Sequence, residues 1–301
     1  MAKTLLTLLR LIAFAAVVAC GPAVRAETGG LPDLRRAADG DLQRGLERVV
    51  RDLGLTSAVE SRRLALSLVD VTQASSPRLA MLNGDELMYA ASLPKIAILL
   101  GALVEAEQGR LPINERTVGA MTNMIRFSSN DDASRVLGWV GGERLLEILQ
   151  SDRFRLYDAG AGGGLWVGKA YGKEAAFRRD PLRNLSHGAT AYQVARLYYL
   201  LANDALLSPG LNALMKQTLS NPGIRHKFVK GLEDVPGVRI FRKSGTWKDT
   251  HADSALIEHG DRRYIVVGIA EHADGGQWLT RLAAAMHGLV ARPAITALAG
   301  R

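Results

Sequence analysis

The chain has 301 residues, 48% of them hydrophobic and 23% charged, and a formal net charge of +8. This length supports one large domain or two small ones, and the composition excludes a mainly membrane-spanning or disordered chain. Mild basicity suits anionic partners such as cell-wall polymers or lipid head groups. No basic run is interleaved with aromatics, so nucleic acid is not an expected partner.

Residues 1–26 differ from the rest. Lys3 and Arg10 supply positive charge, Leu11 to Ala19 are apolar, and no acid precedes Glu27. This predicts a secretory signal, too short for a transmembrane helix. Two exits are open. Val24-Arg25-Ala26 fits small-residue cleavage before Glu27, and Val17-Val18-Ala19-Cys20 resembles a bacterial lipobox with Cys20 lipidated. Either exit places the protein in a bacterial periplasm, free or membrane-anchored. Losing Lys3, Arg10 and Arg25 lowers the net charge to +5, and Cys20 is the only cysteine, so no internal disulfide is expected.

The mature domain is expected over residues 33–294. Residues 33–53 place Leu34, Leu42, Leu46, Val49, Val50 and Leu53 at helical spacing. Arg63 to Val71 alternates like a strand, and Leu79 to Leu82 predicts a second strand before an Asn83-Gly84 turn. Ser92 to Gly109 predicts a helix, apolar nearly all round and therefore buried. A helical region of about 110–220 follows, clearest at Ala133–Leu149 and Thr190–Ala202. Within it, Gly160 to Gly164 predicts a flexible loop. Strands return at Val238–Phe241, leading into Lys243-Ser244-Gly245-Thr246, and at Ser254–Ile257 and Tyr264–Ala270. A last helix covers Gln277–Val290. Strands at both ends and helices between predict an α/β (α+β) fold. One antiparallel sheet is built from the two termini and flanked by helices, with an all-helical region inserted.

Three short motifs carry the chemistry. Ser92-Leu93-Pro94-Lys95 sets a hydroxyl and an amine one helical turn apart, with Pro94 suited to a first turn. Such a pair can act as nucleophile and base if the lysine pKa is lowered, although about one S-x-x-K arises by chance in a chain this long. Ser128-Ser129-Asn130 precedes a predicted helix and also reads as a helix cap, and Lys243-Ser244-Gly245 lies on a predicted strand. In this order and context the three resemble the S-x-x-K, S-D-N and K-T-G set of the serine β-lactamase and penicillin-binding-protein superfamily, with class A β-lactamase-like serine hydrolases as the nearest subgroup.

That resemblance implies roles. Ser92 would form an acyl-enzyme and Lys95 would accept its proton. Ser128 would relay a proton to the departing nitrogen. Lys243 would attract a substrate carboxylate that Ser244 and Thr246 hydrogen-bond, with Gly245 in the same binding strand, and Asn130 would hold the acyl side-chain amide. The oxyanion hole would be the N–H groups of Ser92 and Thr246. No cofactor or metal is implied. The partner would be a small β-lactam or cell-wall peptide, and the chain would act as a monomer.

The pattern also departs from the family. Asp180-Pro181-Leu182-Arg183-Asn184 stands where class A enzymes carry E-x-x-L-N, so Asp180 is a candidate to activate the deacylating water, or else a loop acid paired with Arg178 or Arg179; Glu174 is a further candidate. Only 32 residues separate Lys95 from Ser128, which implies a more open cleft. Asp253 falls roughly where a basic residue is usual, and would weaken carboxylate binding or point outward. His187, His226, His251, His259 and His272 show no metal-ligand spacing and are expected on the surface or in the core. Three readings follow: a β-lactam hydrolase, a D-Ala-D-Ala peptidase or other amide or ester hydrolase, and a silent cell-wall-binding module.

Overall fold

The structure, a computed structural model, describes residues 30–291. The expected signal, its cleavage sites and Cys20 lie outside the described residues. A 3₁₀ turn at Leu34–Ala37 precedes α1 (Gly40–Asp52), so the helix expected over residues 33–53 is divided. Asp39 causes the division: its carboxylate accepts the Leu42 N–H at 2.7 Å and caps α1. Leu42, Leu46 and Val50 form the buried stripe of α1. After the short α2 (Thr56–Glu60) come β1 (Leu64–Asp70), β2 (Arg78–Leu82) and β3 (Met88–Tyr89).

After α3 (Lys95–Glu107), the region expected to be all-helical opens with α4 (Glu115–Arg126), α5 (Asn130–Val140) and α6 (Gly142–Gln150), but it is not all helix, because four short strands follow within it. The single helix expected over Ala133–Leu149 is thus two, broken at Gly141, where φ is +86°. The glycine cluster is partly ordered. Tyr157–Asp158 (β4) pairs with Gly163–Gly164 (β5), and Gly164 lies so close to Leu156 O that a side chain would collide. Then follow β6 (Trp166–Val167), β7 (His187–Ala189), α7 (Ala191–Ala202, capped by Thr190), α8 (Pro209–Leu219) and α9 (Phe228–Gly231). The chain then enters β8 (Arg239–Trp247), β9 (Thr250–His259), β10 (Arg262–Glu271) and α10 (Gly275–Ala291).

The main sheet has the order β2-β1-β10-β9-β8 and is antiparallel throughout. Leu64 pairs with Ala270 and Asp70 with Tyr264, so the two ends of the chain meet at the sheet centre, as the terminal strands imply. Every residue of β1 is buried, because helices cover both faces. On one face α1 and α10 close a core of Leu46, Leu66, Val266, Leu282 and Met286. On the other, α7 packs on β1, β9 and β10. Helix α3 is buried from Lys95 to Glu105 within the helical region. That leaves β8 as an edge strand whose C-terminal end faces the start of α3.

Candidate active site

The chain leaves β3 through a tight turn held to β7, where Ala90 N–H donates to His187 O at 3.0 Å. Ala91 has φ +50°, a conformation that costs a non-glycine residue of order 1–3 kcal/mol and tends to persist at functional sites. Successive i to i+3 bonds, including Lys95 N–H to Ser92 O at 3.3 Å, run the turn into α3. Ser92 therefore lies just before the helix, with Pro94 at the N-cap and Lys95 as its first residue. Ser92 lines a cleft of about 330 Å³ with Asn130, Tyr171, His187, Thr246 and Trp247 among its walls.

Gly245 fixes this proximity. A Cβ there would run into Ala90 O and stand 2.8 Å from Ser92 N. Only a residue without a side chain lets β8 approach the serine turn this closely. Among the described residues the Ser92 N–H donates to no other group, so it is free to receive an oxyanion.

Lys95 is wholly buried. Its Nζ lies 2.7 Å from Ser128 O, 2.7 Å from Asn130 Oδ1, 3.3 Å from Ser129 O and 3.5 Å from Ser128 Oγ. Among the described residues no carboxylate pairs with it, and burial pulls the amine down to about 7. The Ser128 segment forms the corner between α4 and α5, with Ser128 itself at φ +58°. Ser129 takes the capping task, accepting Asp132 N–H at 3.1 Å, and so frees Ser128 and Asn130 for the cleft side. Lys243 Nζ donates to Ser128 Oγ at 3.0 Å from β8. Burial, reinforced by the charges of Lys95 and Arg242, holds the Lys243 amine well below its usual range.

Two basic residues without any motif signal support β8. Lys227, buried at φ +54°, donates to Gly245 O at 2.6 Å, Thr246 Oγ1 at 2.8 Å and Ala252 O at 3.1 Å. Burial moves its amine down to about 8, opposed by the negative charge of Asp253. Arg242 meets Asp253 through two bonds of 2.7 and 2.8 Å, both side chains buried. Asp253 thus points inward and its charge is matched. Ser244 is buried opposite Asp253 in the register, whereas Thr246 is exposed in the cleft. Thr246 is therefore the hydroxyl of this strand that the cleft exposes.

Asp180 does not join the cluster. Its carboxylate is buried and accepts four hydrogen bonds, from Tyr157 OH at 2.7 Å, Leu182 N at 3.0 Å, Arg183 N at 2.8 Å and Leu185 N at 3.2 Å. Although burial opposes ionisation, these donors hold the carboxyl below its ordinary pKa. All its acceptor positions are consumed in knotting the loop, so Asp180 cannot also orient a water; neither does it pair with Arg178 or Arg179 as a loop acid would. Asn184 takes part only through its backbone, at φ +55°. Glu174 is exposed and folds its carboxylate over Gly172 at the cleft rim. None of the residues lining the cleft is acidic.

His187 is not an isolated histidine but part of the cleft wall. Its ring lies 4.2 Å from that of Tyr171, and its nitrogens meet Lys169 O at 3.0 Å and Ser186 Oγ at 3.1 Å. Burial pushes its pKa down to about 4, so it is neutral at pH 7.

An antiparallel sheet closed by both termini, with a serine turn, a buried lysine and a Ser–Lys contact at its edge, defines the β-lactamase-like class of serine hydrolases. The chain belongs to the Beta-lactamase enzyme family, whose family model matches residues 120–290. The match includes Ser128, Asn130 and Lys243, and begins after Ser92 and Lys95. Among solved structures, the chain is similar to the β-lactamase from Sphaerobacter thermophilus DSM 20745, at 14% identity and TM-score 0.65, over 83% of this chain and 98% of that one. PBP-A is similar at 14% identity and TM-score 0.63, over 83% and 96%. The class A β-lactamase of the last common ancestor of Gram-negative bacteria is similar at 17% identity and TM-score 0.63, over 81% and 98%. No curated protein matches the chain.

Proposed function

We propose that the chain is an exported active-site serine hydrolase that forms an acyl-enzyme on Ser92 with a β-lactam or a related cell-wall amide. The observation that carries this reading is Lys95, buried between Ser128 and Asn130 with no carboxylate partner among the described residues. With its pKa near 7, a substantial share of the amine is neutral at physiological pH and can act as a base. Ser92 Oγ attacks the carbonyl carbon as Lys95 accepts its proton. The C–N bond then breaks while Ser128, bonded to Lys243, passes a proton to the nitrogen. The Ser92 and Thr246 N–H groups take the oxyanion, a contribution of a few kcal/mol in such sites. The Lys227–Thr246 pair supplies positive charge and a hydroxyl for a substrate carboxylate, and Lys243 beside it donates to Ser128 Oγ.

A second reading concerns the substrate. A penicillin-binding peptidase releases its acyl group from β-lactams slowly, whereas a β-lactamase releases it fast. Asp180 is fully engaged and the cleft lining holds no acid, which favours slow release. A PBP-A variant is known as an acyl-enzyme complex with penicillin-G, which is in keeping with this reading. The alternative of a silent binding module leaves the costly burial of Lys95 and Lys243 without a purpose. Exposure to penicillin G and nitrocefin separates the readings: a stable adduct without turnover indicates the peptidase type, rapid turnover the β-lactamase, and no adduct the silent module. Export through cleavage after Ala26 or lipidation at Cys20 is part of the proposal, and the mass of the natively expressed protein tests it.

A further inference from the structure

Between β6 and β7 the chain makes a loop closed at its neck, where Gly168 N–H donates to Ser186 O at 2.8 Å. Tyr171 reaches from this loop across the cleft. Its hydroxyl donates to Ala91 O at 3.1 Å, next to the nucleophile. Its ring centroid lies 4.4 Å from Lys95 Nζ, and its other neighbour is His187, whose two nitrogens are already engaged.

Hydrolysis of a Ser92 ester needs a water close to both the acyl carbon and a base. The water oxygen bonds to the acyl carbon and the bond from that carbon to Ser92 Oγ breaks. A water proton passes through the base to Oγ. Lys95 is the base that the acyl-enzyme reading assigns to Ser92, three residues away at the start of α3, and its polar contacts are to the Ser128–Asn130 corner. The Tyr171 ring covers the side of the amine facing the loop, where no acid lines the cleft. An aromatic face offers a hydrolytic water neither a base nor a hydrogen-bond acceptor of useful strength.

We propose that Tyr171 is a positioning residue that keeps water from the lysine side of the Ser92 acyl-enzyme and so lengthens its lifetime. The proposal rests on the acyl-enzyme reading above. It separates two parts of one side chain: the ring does the shielding, and the hydroxyl steadies the Ala91 turn.

The test follows the lifetime of the penicillin G adduct by intact-protein mass spectrometry in the wild type, Tyr171→Phe and Tyr171→Ala, with and without hydroxylamine as a small competing nucleophile. Tyr171→Phe keeps the ring and is expected to retain the wild-type lifetime within about twofold. Tyr171→Ala is expected to shorten it by at least about tenfold, given how steeply such rates depend on access and placement. Hydroxylamine should accelerate release in Tyr171→Ala alone. Thermal unfolding checks the fold of each variant, and Tyr171→Val replaces the alanine variant if that one fails to fold. An unchanged lifetime in the small variant overturns the proposal, as does a phenylalanine variant that releases as fast as the alanine one. Absence of both a Ser92 adduct and turnover in the wild type overturns the acyl-enzyme reading itself and the proposal with it, whereas rapid turnover without a lasting adduct overturns the shielding by Tyr171 alone.

Discussion

Lys243 Nζ lies 3.0 Å from Ser128 Oγ, joining residues 115 apart in sequence across the cleft. Strand β8 delivers the amine and the α4–α5 corner delivers the hydroxyl. If Ser128 relays protons, it needs this contact more than the fold does. Lys243→Met should therefore slow acylation by roughly a hundredfold or more while leaving a folded chain, as loss of a preorganised donor does elsewhere. Stopped-flow acylation rates with circular dichroism on the same samples check this, and an unchanged rate would remove Ser128–Lys243 from the mechanism.

Lys95 sets the pH dependence. In the proposed mechanism the neutral amine is the base, and burial pulls its pKa down to about 7. Acylation should rise with pH through about 7 and level off above it, because protonation below that point removes the lone pair. His187, pushed down to about 4, does not cause this limb; Lys243, also lowered by burial, faces the same space, so the profile is repeated in Lys243→Met, where the limb near 7 should persist. The acylation rate of Ser92 measured from pH 5 to 9 tests the assignment. A flat profile would mean that Lys95 is not the base.

Gly245 should tolerate no side chain. Gly245→Ala drives a methyl group into Ala90 O beside the serine turn. Overpacking of this kind typically costs about 1–3 kcal/mol. Here it should also separate Thr246 from Ser92, so acylation should fall far more than stability. Comparing the melting temperature with the acylation rate distinguishes a local displacement from general unfolding.

Asp180 is expected to serve the loop and not the reaction, since its carboxylate already accepts four hydrogen bonds. Asp180→Asn replaces one acceptor oxygen by an NH₂, which faces the N–H donors of Arg183 and Leu185 or, with the amide turned over, the Leu182 N–H and the Tyr157 hydroxyl. A loss of about 1–3 kcal/mol in stability is expected. Adduct lifetime at a temperature where the variant is folded should change little. If deacylation alone collapsed with stability intact, Asp180 would be a water-activating base after all, and Glu174→Gln provides the comparison from the cleft rim.

Lys227 should govern binding more than chemistry. Lys227→Met removes a charged donor from Thr246 Oγ1, and with it the charge beneath the carboxylate position. Since a hydrogen bond to a charged group contributes about 1.5–3 kcal/mol, KM for a carboxylate-bearing substrate should rise by roughly tenfold or more with a smaller change in kcat. Equal loss in both would place Lys227 in support of the fold alone.

The parts of this arrangement that are legible in sequence are those with local signals. The terminal strands show apolar runs, and α3 is apolar all round because it is buried. Ser92, Lys95, Ser128, Asn130 and Lys243 stand in short motifs whose order matters, and the fold brings all five to the end of β8. What is not legible depends on the third dimension. Tyr171 and Lys227 have no motif; they matter because a loop and a strained backbone carry them to Ala91 O and Thr246 Oγ1. Asp180 shows the converse. Its place in the chain suggests a base, and only the four donors around it reveal a structural carboxylate. The break at Gly141 and the cap at Ser129 likewise turn on backbone angles that periodicity does not report.

The central claim is that Ser92 becomes acylated. Intact-protein mass spectrometry after exposure to penicillin G tests it most directly, with wild type and Ser92→Ala side by side. The wild type should gain the mass of one whole penicillin, and peptide mapping should place it on Ser92, while Ser92→Ala gains nothing. Equal labelling of both proteins, or no adduct and no turnover in the folded wild type, would contradict the account.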